Sequence, residues 1–286
     1  MYISGAHGAP NTSIKSGGRE VILRGIIWCL FACLVVRYAI SWSNAFLGSS
    51  FPEVGSIGLT AIFTAFSVSH AIFELGARRA LTFLLICAAV SWGLESVGIA
   101  TGLVYGPYHY GSQLGPKLGS VPIIIPFAWF MMIYPSWVIS RGLLEGRGGR
   151  ASLSTTAARI AIASMVMTAW DTVMDPGKAL SGAWTWVGGG AYFGVPVHNF
   201  LGWLLTTALI YAGTELSFSG SRDFPRSRSD RLFGGLPVLA YALVATDAMI
   251  LPSLPELRIV AMFGMGFIGL LAILHLVLPQ AGDLAS

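Results

Sequence analysis

The chain has 286 residues, of which 55% are hydrophobic and 10% are charged, and its formal net charge is +4. So few charges exclude an ordinary soluble domain, because the apolar residues fall in runs near the 20-residue length that spans a hydrocarbon core. A nucleic-acid-binding protein is also excluded, since its basic residues would gather on one folded surface.

The apolar runs predict an all-α fold, a polytopic integral membrane bundle of about eight transmembrane helices. In chain order the predicted spans are residues 21–40, 57–75, 80–99, 121–139, 157–174, 194–213, 232–250 and 259–278. The first and seventh runs are the weakest, so seven helices are the alternative. The Gly- and Ser-rich residues 1–18 predict a disordered cytoplasmic tail, and residues 19–280 predict a single transmembrane domain.

Basic residues concentrate on one side of the predicted membrane. That side holds Lys15, Arg19, Arg24, Arg78, Arg79, Arg141, Arg147, Arg150, Arg159, Arg222, Arg226, Arg228 and Arg231, and the other holds Arg37, Lys117, Lys178 and Arg258. This positive-inside pattern predicts a multi-pass protein of the cell (inner) membrane with both termini in the cytoplasm. The first run lacks a convincing cleavage site after it, which predicts an uncleaved anchor.

Two long segments on the opposite side combine glycines with aromatic residues. Residues 98–120 contain three tyrosines, and residues 176–196 contain two tryptophans. Irregular backbone at membrane depth is tolerated only where it is buried in protein, so these segments are predicted to line a cavity or to re-enter the membrane. An aromatic belt at the membrane interface is the alternative.

Two acids, Asp171 and Asp175, lie at the end of the fifth run. Their i,i+4 spacing places both on one helix face, with Asp171 the deeper, and Pro176 predicts that the helix ends at Asp175. An ionised carboxylate at bilayer depth costs about 2.5–3.5 kcal/mol, and two neighbouring carboxylates cannot both ionise cheaply. The pair is therefore expected to supply a neutral carboxylic acid; a helix end exposed to water is the alternative.

Other polar residues in the runs are weaker candidates. Glu95 follows Trp92 by one helical turn, and exposure at the interface is its alternative. Asn199 begins the sixth run and is placed to orient a carboxylate or a water molecule across helices. A histidine such as the neighbouring His198 is more often structural than catalytic.

No metal or cofactor motif occurs in the chain. The three cysteines lie inside predicted spans without metal-ligand spacing, and the five histidines do not cluster. A phosphate-binding loop, a zinc-protease motif and a nucleophile elbow are also missing. We therefore expect neither a metal nor a cofactor. His70 precedes Glu74 by four residues in the second run and is a modest site candidate, while Glu74 is expected to form an ion pair with Arg78 at the cytoplasmic end. Asp247 lies in the seventh run, where the sequence does not decide between a site and a structural role.

Short motifs follow one another along residues 91–215. They are ESVG at 95–98, GLVYGPYHY at 102–110, LG at 118–119, VPIIIPFAWFMM at 121–132, WD at 170–171, MDP at 174–176, WTW at 184–186, YFGVP at 192–196 and NFLGW at 199–203. In order and spacing this set resembles the membrane-bound carotenoid 1,2-hydratases of the CruF type. Outside residues 91–215 only the hydropathy is similar.

The resemblance implies a cofactor-independent addition of water to the terminal C1=C2 double bond of an acyclic carotenoid, giving a tertiary alcohol. Such a reaction needs an acid to protonate C2, electron-rich rings around the cation at C1, and a group that orients the water. Asp171 is the first choice for the acid and Glu95 the second, and the remaining carboxylate, such as Asp175, acts on the water with Asn199. The expected substrate contacts are Trp92, Tyr105, Tyr108, Trp129, Trp184, Trp186, Tyr192 and His198.

The implied partners are a lycopene-like or gamma-carotene-like substrate in the bilayer, water, membrane lipid and a downstream glycosyltransferase acting on the new hydroxyl. Three other functions remain open. A membrane carotenoid or terpene cyclase would use the same protonation, with an internal alkene capturing the cation. A Mg²⁺-dependent prenyltransferase would use the single Asp171-x-x-x-Asp175 motif. A non-enzymatic lipid transporter or scaffold is the third, although no inverted repeat is visible.

Overall fold

A computed structural model describes residues 12–144, 152–218 and 230–278. Within these ranges the protein is an all-α membrane bundle, as predicted, with two short two-stranded sheets in its loops. The helices are α1 (Thr12–Leu47), α2 (Ser56–Leu75), α3 (Ala77–Thr101), α4 (Ile124–Leu144), α5 (Leu153–Leu180), α6 (Val197–Phe218), α7 (Arg231–Gly234), α8 (Leu236–Ile250), α9 (Leu257–Val260) and α10 (Phe267–Val277), with a π-helix (Ala261–Gly266) between the last two. The strands are β1 (Tyr108–Tyr110), β2 (Lys117–Leu118), β3 (Val121–Pro122) and β4 (Trp184–Trp186).

Each of the eight predicted spans is helical over most of its length, with α7 and α8 covering the seventh and α9 to α10 the eighth. In the described part of the chain, four helical segments are long and apolar enough to cross a membrane: Gly18–Leu47, Ser56–Leu75, Ala77–Thr101 and Leu257–Val277. α1 begins inside the predicted tail, and residues 1–11 lie outside the described ranges. So do Arg147, Arg150, Arg222, Arg226 and Arg228, and the orientation stays a prediction.

Polar links join α1, α2 and α7 at one end of the bundle. Arg24 Nη2 lies 2.8 Å from Asp230 Oδ2, and Asp230 caps α7 by accepting from the Phe233 N–H. His70 is buried, with Nδ1 2.7 Å from the Tyr134 hydroxyl and Nε2 2.9 Å from the Phe233 carbonyl oxygen. Because both ring nitrogens are occupied, we assign His70 a structural role.

α5 corrects one prediction, because it does not end at Asp175 but continues through Pro176 to Leu180. A proline inside a helix lacks the N–H that would reach the carbonyl four residues earlier. In α5 that carbonyl belongs to Thr172, and it accepts a hydrogen bond from the Tyr192 hydroxyl at 3.0 Å. A side chain from the following loop thus replaces the missing donor and supports the last turns of the helix.

α4 has the same arrangement at Pro135, which lies inside the helix. Pro135 leaves the Met131 carbonyl without its helical donor, and Ser67 Oγ of α2 donates to that carbonyl at 3.0 Å. One turn earlier, Thr64 Oγ1 donates to the Phe127 carbonyl at 2.9 Å. Hydroxyl groups of α2 therefore satisfy the backbone of α4 while the two helices pack together.

The two aromatic loops pair with each other through β1 and β4. In this antiparallel sheet Tyr108 lies opposite Trp186, and Tyr110 lies opposite Trp184. Because side chains alternate across a strand, the terminal residues of each strand turn inward and the central residue is exposed. We call these two strands the aromatic cap. The inward side chains favour a cavity lining over an interfacial belt.

Two glycines allow the first loop to insert between α3 and α6. A Cβ on Gly202 would lie 2.2 Å from the Val104 carbonyl oxygen, and a Cβ on Gly98 would lie 2.9 Å from the Tyr105 ring. Only a residue without a side chain permits this approach. Tyr105 is consequently buried between the helices, with its hydroxyl 2.7 Å from Thr206 Oγ1.

Candidate active site

Glu95 is buried in α3, and its carboxylate has three hydrogen-bond donors. The Tyr108 and Tyr110 hydroxyls both donate to Oε2, the second at 2.7 Å, and Trp129 Nε1 donates to Oε1 at 3.2 Å. The two tyrosines are two residues apart on β1, so the strand period brings both to the same carboxylate. With only 4% of its surface exposed, Glu95 is not an interfacial residue, and its donors suit an ionised carboxylate.

The tyrosines of this network keep their protons. Burial raises the pKa of both Tyr108 and Tyr110, and the negative charge of Glu95 raises each pKa further. A phenol with a raised pKa stays neutral at physiological pH and remains a donor. The direction of both hydrogen bonds is therefore fixed, with Glu95 as their acceptor.

Asp171 and Asp175 are both buried on α5, and α6 places Asn199 against them. Asn199 Nδ2 donates to Asp171 Oδ2 at 3.1 Å and to Asp175 Oδ2 at 2.5 Å. No group in the described ranges donates to Asp171 Oδ1. One amide thus serves two carboxyl groups, and like charges this close cannot both form cheaply. The arrangement favours an acid pair that holds a proton. Glu95 differs in this respect, because its carboxylate accepts three hydrogen bonds.

A cavity of about 560 Å³ lies beneath the aromatic cap. Its volume is typical of small-molecule sites. Glu95, Asp175 and Asn199 line it, whereas Asp171 does not. Asp175 is therefore the member of the acid pair that faces the cavity, although the sequence made Asp171 the first choice for a proton donor.

Stacked indoles form one wall of this cavity. Trp129 and Trp203 lie with ring centroids 4.0 Å apart and planes at 20°, and Trp170 meets Trp203 edge-on at 6.0 Å. Tyr105 lies near Trp129 at a tilted angle, with ring centroids 6.5 Å apart. Such faces stabilise a cation in a desolvated site by up to about 2 kcal/mol.

Eight of the predicted site residues line the cavity: Glu95, Asp175, Asn199, Tyr105, Tyr108, Trp129, Trp184 and Trp186. Four others do not. Asp171 lies behind Asp175, and Tyr192 bonds the backbone of α5. Trp92 donates to the Leu118 carbonyl at 3.3 Å, and His198 is exposed.

Sequence reasoning left out other cavity residues, among them the aromatic residues Tyr110, Trp170 and Trp203. The sequence position of each residue relative to a predicted site residue could have identified it. Tyr110 shares a strand face with Tyr108, Trp170 precedes an acid of the pair, and Trp203 follows Asn199 by one helical turn. Across residues 12–144, 152–218 and 230–278, no three His, Cys, Asp or Glu side chains lie close enough together to hold a metal ion.

Comparisons with known proteins point in one direction. A family model described as "Carotenoid biosynthesis protein" matches residues 56–271, about three quarters of the chain. The bisanhydrobacterioruberin hydratase of Haloarcula japonica is 38% identical over 136 residues, which are 47% of this chain and 44% of that protein. The match thus spans less than half the length of that relative. No solved structure matches.

Proposed function

The chain belongs to the carotenoid biosynthesis protein family, and from this membership and its buried acid pair we propose that it is a carotenoid 1,2-hydratase. In this reaction water adds to the terminal C1=C2 double bond of an acyclic carotenoid end group, and the product is a tertiary alcohol. The single observation that carries the proposal is the pair Asp171 and Asp175, bridged by Asn199 at the edge of an aromatic cavity.

Asp175 is the proposed proton donor. It lines the cavity, so its carboxyl group can contact C2 of the substrate, while Asp171 lies behind it and shares the charge that protonation of the alkene leaves on the pair. Asn199 donates to both carboxyl groups and would stabilise that charge. A positioned general acid of this kind contributes about 10²–10⁴-fold to a rate.

The cation that forms at C1 is tertiary and needs electron-rich surroundings that do not react with it. The indoles of Trp129, Trp170 and Trp203, which line the cavity, offer such surroundings. None of these indoles is free to bond covalently without losing its aromaticity, so water remains the nucleophile. The same wall would hold the apolar end group of the substrate before protonation.

Glu95 is the proposed acceptor of the proton that water loses. Its carboxylate lines the cavity and is held in place by Tyr108, Tyr110 and Trp129. The oxygen of water bonds to C1 and one proton of that water passes to Glu95. Glu95 then releases this proton to solvent in the cavity while the acid pair takes one up, so both groups return to their starting states. The proton given to C2 is thus replaced, and one water is consumed for each double bond.

A substrate dissolved in the bilayer explains why the site lies inside a membrane bundle. An acyclic carotenoid that is lycopene-like or gamma-carotene-like would enter from the surrounding lipid. The positive-inside pattern supports an inner-membrane location with cytoplasmic termini. The tertiary hydroxyl of the product is a suitable acceptor for a downstream glycosyltransferase.

Expression in a lycopene-producing bacterial host tests the proposal, with the extracted pigments weighed by mass spectrometry. A gain of one or two waters per carotenoid is expected, and Asp175→Asn and Glu95→Gln should both abolish it. His198→Gln, at an exposed position off the cavity, is the control that should keep activity. A pigment of unchanged mass but altered absorption would indicate a cyclase, and unchanged pigment with a well-inserted protein would reject hydration of this substrate.

A further inference from the structure

A polar stripe on α5 continues from the acid pair toward the N-terminal end of the helix. Ser164, Thr168, Asp171 and Asp175 follow one another by four, three and four residues, a spacing that places all four on one helix face. All four are buried, whereas residues 153–162 of the same helix are exposed or half-buried. The stripe therefore begins where α5 becomes buried and ends at the cavity.

Three polar atoms of this stripe have no hydrogen-bond partner within the described ranges. They are Ser164 Oγ, Thr168 Oγ1 and Asp171 Oδ1. Ser164 is 3% exposed and Thr168 is 7% exposed, so neither hydroxyl belongs to a surface residue. A buried polar group without a partner disfavours the folded state, and three on one helix face call for an explanation.

Hydroxyls of the neighbouring helix α6 show that the residue type does not cause this. Thr206, Thr207 and Thr214 each donate to the carbonyl four residues earlier, at 2.8 Å in every case. Serine and threonine commonly satisfy themselves in this way inside a helix. Because Ser164 and Thr168 do not make this bond, their hydroxyls stay available to another partner.

Water is the partner that fits this spacing. Side chains three or four residues apart on a helix lie about 5–6 Å from each other at Cβ, a span that one bridging water covers with two hydrogen bonds. A hydroxyl donates and accepts at the same time, so Ser164, Thr168 and Asp171 with water between them make one continuous chain of hydrogen bonds. Each member of such a chain passes one proton on and takes up another, without a net change of its own.

We propose that Ser164 and Thr168, with bridging water, form a proton path that returns protons to Asp171 while the substrate fills the cavity. This inference rests on the proposed function, in which Asp175 gives one proton to C2 at each turnover. Asn199 binds both carboxyl groups, so a proton that reaches Asp171 is shared with Asp175. Ser164 and Thr168 lie off the cavity and act only through Asp171, which makes them positioning residues.

Hydrogen–deuterium exchange of the acid pair tests the path without any reaction. The full chain in phosphatidylcholine nanodiscs is transferred from H2O to D2O, and the carboxylic-acid C=O band, identified by its loss in Asp171→Asn, is followed by infrared absorption. Squalane, a saturated hydrocarbon that cannot be protonated, is added to the bilayer to fill the cavity. The unsubstituted chain should still exchange, whereas Thr168→Val and Ser164→Ala should each slow the exchange about tenfold, the effect of one lost hydrogen bond on a barrier.

Thr214→Val is the matched control. It removes a buried hydroxyl of α6 that already bonds the Ile210 carbonyl and does not line the cavity, so the exchange rate should not change. Thr168→Val replaces an unpartnered hydroxyl with a methyl group and should not lower the Tm. Slower exchange at an unchanged Tm is therefore an effect on the path and not on folding.

Turnover gives a second readout that a purely structural role would not produce. The pair starts protonated, so Thr168→Val should keep the rate of the first hydration but lower the steady-state rate about tenfold. Absence of a carboxylic-acid band, or exchange in Thr168→Val as fast as in the unsubstituted chain with squalane present, would overturn the inference. Hydration with unchanged exchange refutes the path alone, whereas slowed exchange in a chain that hydrates no carotenoid refutes the proposed function alone.

Discussion

The Tyr192 hydroxyl donates a 3.0 Å hydrogen bond to the Thr172 carbonyl, the backbone acceptor that Pro176 leaves without its helical partner. Tyr192 lies in a tight turn closed by reciprocal backbone hydrogen bonds with Val195. Within this turn Phe193 adopts a φ of 48°, a conformation that non-glycine residues seldom take. Backbone strain of this kind persists where the surroundings hold it, and here the turn presents Tyr192 to the helix segment that carries the acid pair.

Tyr192→Phe should therefore weaken catalysis by disturbing the position of the acid pair. We expect a loss of about 1 kcal/mol in stability, the usual contribution of one hydrogen bond, and a fall of roughly tenfold in kcat for hydration with little change in KM. Thermal unfolding in detergent and pigment turnover in membranes would measure the two effects.

A second substitution separates positioning from general destabilisation. Pro176→Ala restores an N–H that can reach the Thr172 carbonyl, so Tyr192→Phe combined with Pro176→Ala should recover most of the lost kcat. If the double variant is no better than Tyr192→Phe alone, the Tyr192 hydroxyl acts in some way other than by supporting this turn.

The two acids of the pair should respond differently to neutral replacement. Asp175 faces the cavity and Asp171 does not, so Asp175→Asn should lower hydration by at least about 10²-fold, the contribution of a general acid. Asp171→Asn leaves the cavity-facing acid in place and should cost roughly tenfold. Hydrated carotenoid formed per unit of inserted protein is the measurement, and a greater loss in Asp171→Asn would return the donor role to Asp171.

The tyrosines that bind Glu95 should resist titration. Burial and the charge of Glu95 raise the pKa of Tyr108 and Tyr110, so both should stay protonated through about pH 10, where an ordinary tyrosine ionises. Absorbance at the tyrosinate band would therefore lack their contribution while the protein remains folded. Tyr110→Phe should leave that titration unchanged, and a smaller tyrosinate signal in this variant would show that Tyr110 does ionise.

Hydropathy predicted the helical bundle well, because the thickness of the bilayer sets the length of a membrane span. Each span therefore appears in the sequence as one apolar run of about that length. It also brought Asp171, Asp175 and Asn199 forward as candidates, and the structure places these three side chains in contact. Their catalytic roles stay predictions. The i,i+4 spacing of Asp171 and Asp175 predicted that both acids lie on one helix face, because this prediction depends only on the local geometry of a helix.

Contacts distant in sequence account for what the sequence did not reveal. The continuation of α5 through Pro176 depends on Tyr192, a residue of the next loop. The pairing of Tyr108 with Trp186 joins two loops that are separated by two helices. Which acid faces the cavity depends on where α6 lies against α5, and no periodicity within one helix contains that information.

Gly202 should be the most sensitive glycine of the site, and Gly93 of α3 is its matched control. A Cβ at position 202 would meet the Val104 carbonyl at 2.2 Å and the Tyr105 ring at 2.7 Å, whereas nothing lies within 4 Å of a Cβ at position 93. Gly202→Ala must therefore push the first aromatic loop away from α6, at a cost of about 1–3 kcal/mol, and should lower hydration as well. Gly93→Ala should be neutral or stabilising by about 0.5–1 kcal/mol, because alanine is favoured over glycine within a helix. Thermal unfolding of both variants in the same detergent decides the point, since equal shifts in Tm would mean that this close approach does not hold the loop in place.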